Sequence, residues 1–198
     1  VIDTGIDWDH LDSRNPSDPK KSRILRIWDQ TISPISGENA PVGFSLGVEY
    51  TQAQIENEID GTPAGYVREK DIDGHGTHVT GTAAGNGAAL NGQYTGLAPN
   101  ADIVVVKAGD GSFDTKNIID ALDYLKNLST SLGKPIVVNM SLGSQSGAHD
   151  GTDPLELAID DFTDKAAGRI VVVAAGNENG ENIHKQLVLP ASNSATIA

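Results

Sequence analysis

Apolar runs and amphipathic segments alternate along the second half of the chain. Residues 101–106, 135–140 and 169–174 are dominated by apolar side chains, which is typical of strands covered on both faces. The segments between them, 116–128 and 153–168, carry apolar residues at helical spacing. These positions are Ile118, Leu122 and Leu125 in the first segment, and Leu155, Ile159, Phe162 and Ala166 in the second. The order predicts an α/β fold of three layers, a mostly parallel sheet with helices on both faces.

The first half of the chain has a less regular pattern. Residues 1–3 are predicted to form the end of a buried strand, and residues 23–28 a short edge strand. Thr51 and Gln54 have the spacing of a capping box, which predicts a short helix that continues through Ile59.

The length of 198 residues fits one domain. We interpret residues 1–198 as a single domain, and residues 13–70 as an insertion or elaborated loop region within it. Because the chain starts inside a predicted strand, we expect the domain to be truncated at both ends.

Three polar side chains stand where predicted strands end or a helix begins. Asp3 ends the first strand, His75 opens a Gly- and Thr-rich helix, and Asn177 follows the last apolar run. Because ligands of parallel sheets bind beyond the carboxyl ends of the strands, we expect these groups along one rim. A carboxylate, an imidazole and an amide together are typical of a hydrolase with acid, base and oxyanion donor. Taken singly, each also fits a turn, a helix cap or a loop.

Four runs around these residues resemble, in order along the chain, the motifs of the subtilases, the subtilisin-like serine proteases. They are VIDTGID at 1–7, DGHGTHVTGT at 73–82, NMSLG at 139–143 and VVVAAGNEN at 171–179. The resemblance implies a subtilisin-like fold. It also implies that His75 is the general base, that Asp3 orients it, and that Asn177 donates to the oxyanion.

The same resemblance implies a binding site for an extended polypeptide substrate. Two segments would bracket the peptide, one around Gly109 and the other formed by Ser141, Leu142 and Gly143. Such binding is strand addition, in which backbone hydrogen bonds supply affinity. We expect His78, one turn after His75, to be a structural residue packed beneath the site.

The nucleophile motif of that family, Gly-Thr-Ser-x-Ala followed by Pro, does not occur in the chain. The run GSQSG at 143–147 resembles a nucleophile elbow but has Gln at the required position, and Ser192 and Ser194 lack the motif. We therefore predict a serine endopeptidase with an Asp–His–Ser triad whose serine lies beyond Ala198. Residues 1–198 alone would then be inactive.

Two alternatives stay open at this point. The chain could be a catalytically inactive subtilase-like module that binds peptides or serves in interactions. It could also be a metal-dependent hydrolase that uses Asp71, Asp73, His75 and His78, although no HExxH pattern supports that reading.

The composition of the chain disfavours two classes of binding partner. Asp and Glu outnumber Lys and Arg by 27 to 14, a net charge of −13, which disfavours nucleic acid and anionic membranes. There is no cysteine, and no apolar run approaches the roughly 20 residues that span a bilayer. No cofactor is expected for catalysis. The resemblance allows structural calcium, with Asp12 as a candidate ligand, and favours an extracellular location, while oligomeric state stays open.

Overall fold

The helices and strands follow the predicted order closely. The computed structural model describes residues 1–61, 65–164, 167–181 and 183. In this part of the chain the strands are β1 (Ile2–Asp3), β2 (Arg14–Asn15), β3 (Asp18–Ser22), β4 (Ile24–Asp29), β5 (Val48–Thr51), β6 (Ile103–Lys107), β7 (Ile136–Met140) and β8 (Arg169–Val173). The helices are α1 (Gln52–Ile59), α2 (His75–Ala84), α3 (Thr115–Leu132) and α4 (Pro154–Asp164). Ala166, predicted to face the core, lies outside the described residues.

A four-stranded sheet with the order β1–β6–β4–β5 forms the centre of the molecule. Strands β1, β6 and β4 are parallel, with Val106 of β6 opposite both Ile2 and Trp28, and β5 joins antiparallel to β4. Strands β7 and β8 form a separate parallel pair, in which Ile136 lies opposite Arg169. Strand β7 also lies against β1. The two sheets together confirm a mostly parallel arrangement.

Helices cover both faces of the central sheet. Ile2, Trp28 and Val106 pack on one side in a core shared with α3 and α4. Ile27 and Val105 point to the opposite side, in a core that α1 and α2 help to close. Successive residues of β4 and of β6 therefore serve different cores, as the two-residue period of a strand requires. The predicted three-layer α/β fold is confirmed.

Capping residues set the helix starts. The Thr51 hydroxyl accepts from the Gln54 backbone N–H, and the Gln54 side chain accepts from the Thr51 N–H, so the predicted capping box is confirmed. Asp114 caps α3 by accepting from the Lys116 N–H. Helix α2 starts differently, after Gly74 at φ +86°, a conformation that glycine adopts without strain.

Two expectations about strands were wrong, and one hairpin was not predicted. Strand β4 is not an edge strand, because β5 and β6 pair with its two sides. The polar sequence before it forms the β2–β3 hairpin, which has no hydrophobic alternation to signal it. Within the part of the chain that the structure describes, strands β7 and β8 are covered on one face only: Val138 and Val171 contribute to the core, whereas Val137 and Ile170 are 63% and 53% exposed. No described element packs over these outward side chains.

Within the described residues, no helix combines the length and the apolar character that crossing a membrane would need.

Candidate active site

Asp3 and His75 form a hydrogen-bonded pair at the centre of the candidate site. His75 Nδ1 lies 2.7 Å from Asp3 Oδ1. The Asp3 side chain is fully buried, whereas the His75 side chain is 46% exposed. A carboxylate can only accept, so the proton sits on Nδ1 and Nε2 presents its lone pair. Among the described residues, the imidazole has no other hydrogen-bond partner, which leaves Nε2 free to take a proton.

The Asp3 carboxylate shifts the protonation of His75. The hydrogen bond to Asp3 raises the pKa of His75 above 6.5, partial burial opposes this, and the charges of Asp3, Asp73 and Asp71 add to the rise. A raised folded-state pKa means that the pair contributes its full stability below the unfolded pKa of about 6.5. That contribution is lost as the pH rises through the folded-state pKa.

A hydrogen-bond network around Asp71 joins the turn after Asp3 to the start of α2. Asp71 Oδ1 accepts from Thr4 Oγ1 and the Gly74 N–H, and Oδ2 accepts from the Thr77 N–H and Oγ1, at 2.6–2.9 Å. Thr4 Oγ1 in turn accepts from the Gly76 N–H at 2.9 Å. Partial burial acts to raise the pKa of Asp71, but the hydrogen bonds from Thr77, Thr4 and Gly74 outweigh it and lower the pKa. The network fixes the two chain segments that carry Asp3 and His75.

Lys107, the last residue of β6, ties the same turn to the predicted substrate segment around Gly109. Its buried Nζ donates to the carbonyls of Thr4 and Lys70 at 2.8 Å and also to the Asp110 carboxylate. Gly109 is itself buried. A Cβ there would lie 2.0 Å from the Ser112 carbonyl oxygen, so the backbone is closely packed at this position. This segment is therefore anchored directly beside Asp3.

The second predicted substrate segment follows β7. Ser141 Oγ accepts from Asn139 Nδ2 at 3.0 Å, and Leu142 packs partly against the core. Gly143 is exposed, with no atom within 4 Å of the position that a Cβ would take. An open glycine beside an extended backbone leaves room for a substrate side chain.

Asn177 lies in an exposed loop beyond β8. Within the described residues, no hydrogen bond connects its side chain with Asp3 or His75. The loop is linked instead to the segment after β7, because Gln145 Nε2 donates to Glu178 Oε2 at 3.1 Å. The structure therefore joins Asp3 and His75 by a direct hydrogen bond and places the Gly109 segment beside them through Lys107 and Ala108. The loop that carries Asn177 is linked to the segment after β7.

We expected His78 to pack beneath the site, and this expectation was wrong. Its side chain is exposed on α2, because it lies two residues, about 200° of helical rotation, from both Gly76 and Thr80, which form the buried face. The described residues also contain no group of three His, Cys, Asp or Glu side chains arranged to hold a metal ion. Asp71, named in the metal-dependent reading, already accepts four hydrogen bonds.

The surroundings of Asp12 do not fit a calcium ion. Its Oδ1 accepts from the Ala89 N–H at 2.8 Å. The carbonyl oxygens of Asp12 and Ala84 both accept from the Arg23 guanidinium at 2.6 Å, so a cationic side chain already uses the backbone oxygen of Asp12 itself. A calcium ion would need several of these oxygens at once.

Sequence reasoning missed the supporting residues Thr4, Asp71, Thr77 and Lys107. Thr4 and Thr77 lie within the motifs of Asp3 and His75, and Asp71 stands two residues before the second motif, but no periodicity marks any of them as a supporting residue. Lys107 ends an apolar run and has the sequence context of a solvated strand end.

Comparisons with known proteins identify the family of the chain. The model of the subtilase family matches residues 1–198, and the chain belongs to this family of serine proteases. The major intracellular serine protease of Bacillus subtilis is 28% identical over 192 residues, which cover 91% of this chain and 56% of that protein. The minor extracellular protease Epr of the same species is 35% identical over 182 residues, 90% of this chain and 23% of that protein.

A solved structure gives the same result for the fold. The Clostridium perfringens CspB protease superposes with a TM-score of 0.75 at 30% identity, covering 91% of this chain and 37% of that one. The predicted family and the subtilisin-like fold class are confirmed. The chain spans between about a quarter and just over half of these relatives' lengths.

Proposed function

We propose that this chain carries the base, its orienting acid and the substrate-binding strands of a serine endopeptidase that cleaves extended polypeptides. The observation that supports it most directly is the 2.7 Å hydrogen bond between His75 Nδ1 and the buried Asp3 carboxylate. Asp3 would hold the imidazole in one tautomer and stabilise the imidazolium that forms during catalysis.

In the proposed reaction, His75 Nε2 takes the proton of a serine hydroxyl as that oxygen attacks the scissile carbonyl. The imidazolium then returns the proton to the leaving amine. The Asn177 side-chain amide donates to the oxyanion of the tetrahedral intermediate. Because only neutral His75 can accept a proton, activity should increase as the pH rises through its raised pKa.

The serine nucleophile is proposed to come from sequence beyond Ala198. No described serine hydroxyl hydrogen-bonds to the His75 side chain, and the family's serine motif does not occur in the chain. The exposed His75 side chain is compatible with a nucleophile that approaches Nε2 from another segment.

A fluorophosphonate that reacts with activated serines tests the proposal on the complete protein. We expect one labelled serine, and labelling should be lost in His75→Ala but retained in His78→Ala, a matched control on the same helix. Absence of labelling in the wild-type protein, with binding of peptides retained, would instead indicate an inactive peptide-binding module.

A further inference from the structure

Glu69 is a buried carboxyl group directly beneath the turn that carries Asp3. Its side chain is 0% exposed, and Oε1 accepts from the Ile6 N–H at 3.1 Å. Oε2 is buried and has no hydrogen-bond partner. A carboxyl group that uses only one of its two oxygens is costly to bury in the ionised form, so a structural role alone would be better met by an amide or an apolar residue.

The turn transmits any movement of Glu69 to the Asp3–His75 pair. A Cβ at Gly5 would lie 2.3 Å from Glu69 Oε1, so the carboxyl group is in contact with the Gly5 backbone. On its other side, the Gly5 carbonyl would lie 2.2 Å from a Cβ at Gly76, the second residue of α2. The turn is therefore held between Glu69 and the helix that bears His75, with Asp3 two residues before Gly5.

Three nearby charges act electrostatically on Glu69. They belong to Asp29 of β4, Lys107 of β6 and Asp71 of its own segment. Burial raises the pKa of Glu69 to about 8; the Ile6 hydrogen bond and the Lys107 charge oppose the rise, and the two aspartates add to it. Lys107 does little to stabilise an ionised Glu69, because its Nζ already donates to two carbonyls and to Asp110.

We propose that Glu69 is a positioning residue for the Asp3–His75 pair, and that its protonated form holds the Gly5–Ile6 turn in the catalytic alignment. Ionisation leaves a buried carboxylate with one donor and an unpaired oxygen. The turn must then move, or admit water, to supply further donors. Asp3 moves with the turn, and the alignment of His75 is lost above the pKa of Glu69.

The kinetic part of the test rests on the proposed peptidase function and uses the complete protein. We expect kcat to fall about tenfold per pH unit above roughly pH 8, the slope of a single ionisation. Glu69→Gln keeps an acceptor for the Ile6 N–H and cannot ionise, so this alkaline decrease should disappear. Glu69→Ala removes the acceptor, and kcat should fall about tenfold to a hundredfold at every pH with KM unchanged. Glu56→Gln, which removes a carboxylate paired with Lys21, is the matched control and should keep the wild-type profile.

A second readout does not depend on proteolysis. The Nδ1 proton of His75, hydrogen-bonded to Asp3, should give a downfield NMR signal that weakens as Glu69 ionises and persists in Glu69→Gln. Carboxyl ¹³C titration assigns the ionisation to Glu69. Titration of Glu69 below pH 6, or an unchanged alkaline decrease in Glu69→Gln, would overturn the proposal. If the wild-type protein cleaves no peptide, the proposed function fails and the His75 signal alone decides this inference.

Discussion

The two sides of the candidate site differ in how completely the described chain holds them. On one side, Asp3 is fully buried, and the turn after it is held through Thr4, Ile6, Asp71 and Lys107. On the other side, Asn177 stands in an exposed loop beyond a strand whose outer face is open. The proposed acid and base are therefore held in place, while among the described residues the loop that carries Asn177 makes few contacts.

This difference matters because the proposed mechanism assigns different chemical work to the two sides. Proton transfer requires the base to be held in one tautomer and orientation, which the buried Asp3 would provide. Stabilisation of an oxyanion requires a donor fixed at about 3 Å from the developing charge, which an exposed loop does not guarantee. Substitutions on the two sides should therefore differ in how far they lower kcat and in whether they also change stability.

The largest effect is expected from the acid–base pair. His75→Ala and Asp3→Asn should each lower kcat by about 10⁴-fold or more, a range measured in serine proteases, subtilisin among them, and taken over here. His75→Ala removes the base, and Asp3→Asn no longer holds it in the required tautomer. The change in kcat is measured by peptidase assays of the complete protein, with circular dichroism to verify folding. A loss below tenfold for His75→Ala would remove the pair from the mechanism.

On the opposite side, Asn177→Ala should lower kcat by about 10²–10³-fold, again the value for such a donor in subtilisin itself. Stability should hardly change because the side chain is exposed. Steady-state kinetics and thermal melting distinguish the two quantities. If the melting temperature falls while kcat is retained, Asn177 serves only the structure of the loop, and the comparison between the two sides fails.

The supporting network is expected to have a smaller effect, measured as the free energy of unfolding. Asp71→Asn places an NH2 group against either the Thr4 and Gly74 donors or the two Thr77 donors and should cost about 2–3 kcal/mol. Asp73→Asn is the matched control, since Asp73 is exposed and should cost under about 0.5 kcal/mol. Urea unfolding measures both. Equal costs would mean that the network does not hold the turn.

A pair of strand substitutions sharpens the contrast in burial. Val105→Thr in the fully buried centre of β6 should cost about 1–3 kcal/mol, because it buries a hydroxyl. Ile170→Thr in β8, at 53% exposure, should cost under about 1 kcal/mol in residues 1–198. Urea unfolding of this chain tests the pair. A larger cost at Ile170 in the complete protein would show that another element covers this face there.

The smallest effect is expected from the removal of calcium, measured as a change in melting temperature. The resemblance allows a structural ion at Asp12, but Ala89 and Arg23 already bond to that residue. Melting with and without a chelator should therefore differ little. A substantial downward shift with the chelator that Asp12→Asn abolishes would show that the ion displaces the Arg23 contacts. A shift that survives Asp12→Asn would place calcium elsewhere.

Local patterns predicted more of the helices than of the strands. The capping box at Thr51 and the apolar stripe of α3 depend on neighbouring residues, and both match the structure. The position of β4 within the sheet depends on β5, whose four residues have too little pattern to be found. The outer faces of β7 and β8 depend on which elements cover them, which no local pattern contains.

The sequence by itself determined the family, the α/β class and the residues Asp3, His75 and Asn177 as candidates, because short motifs and periodicities are local properties. Only the tertiary structure showed that Glu69, 63 residues from Ile6, supports the same turn, and that Lys107 reaches Thr4 across 103 positions. Whether a carboxyl group is solvated, saturated with donors or buried with an unpaired oxygen depends on atoms brought in from distant segments. That is why Asp71 and Glu69 acquired their roles from the fold alone.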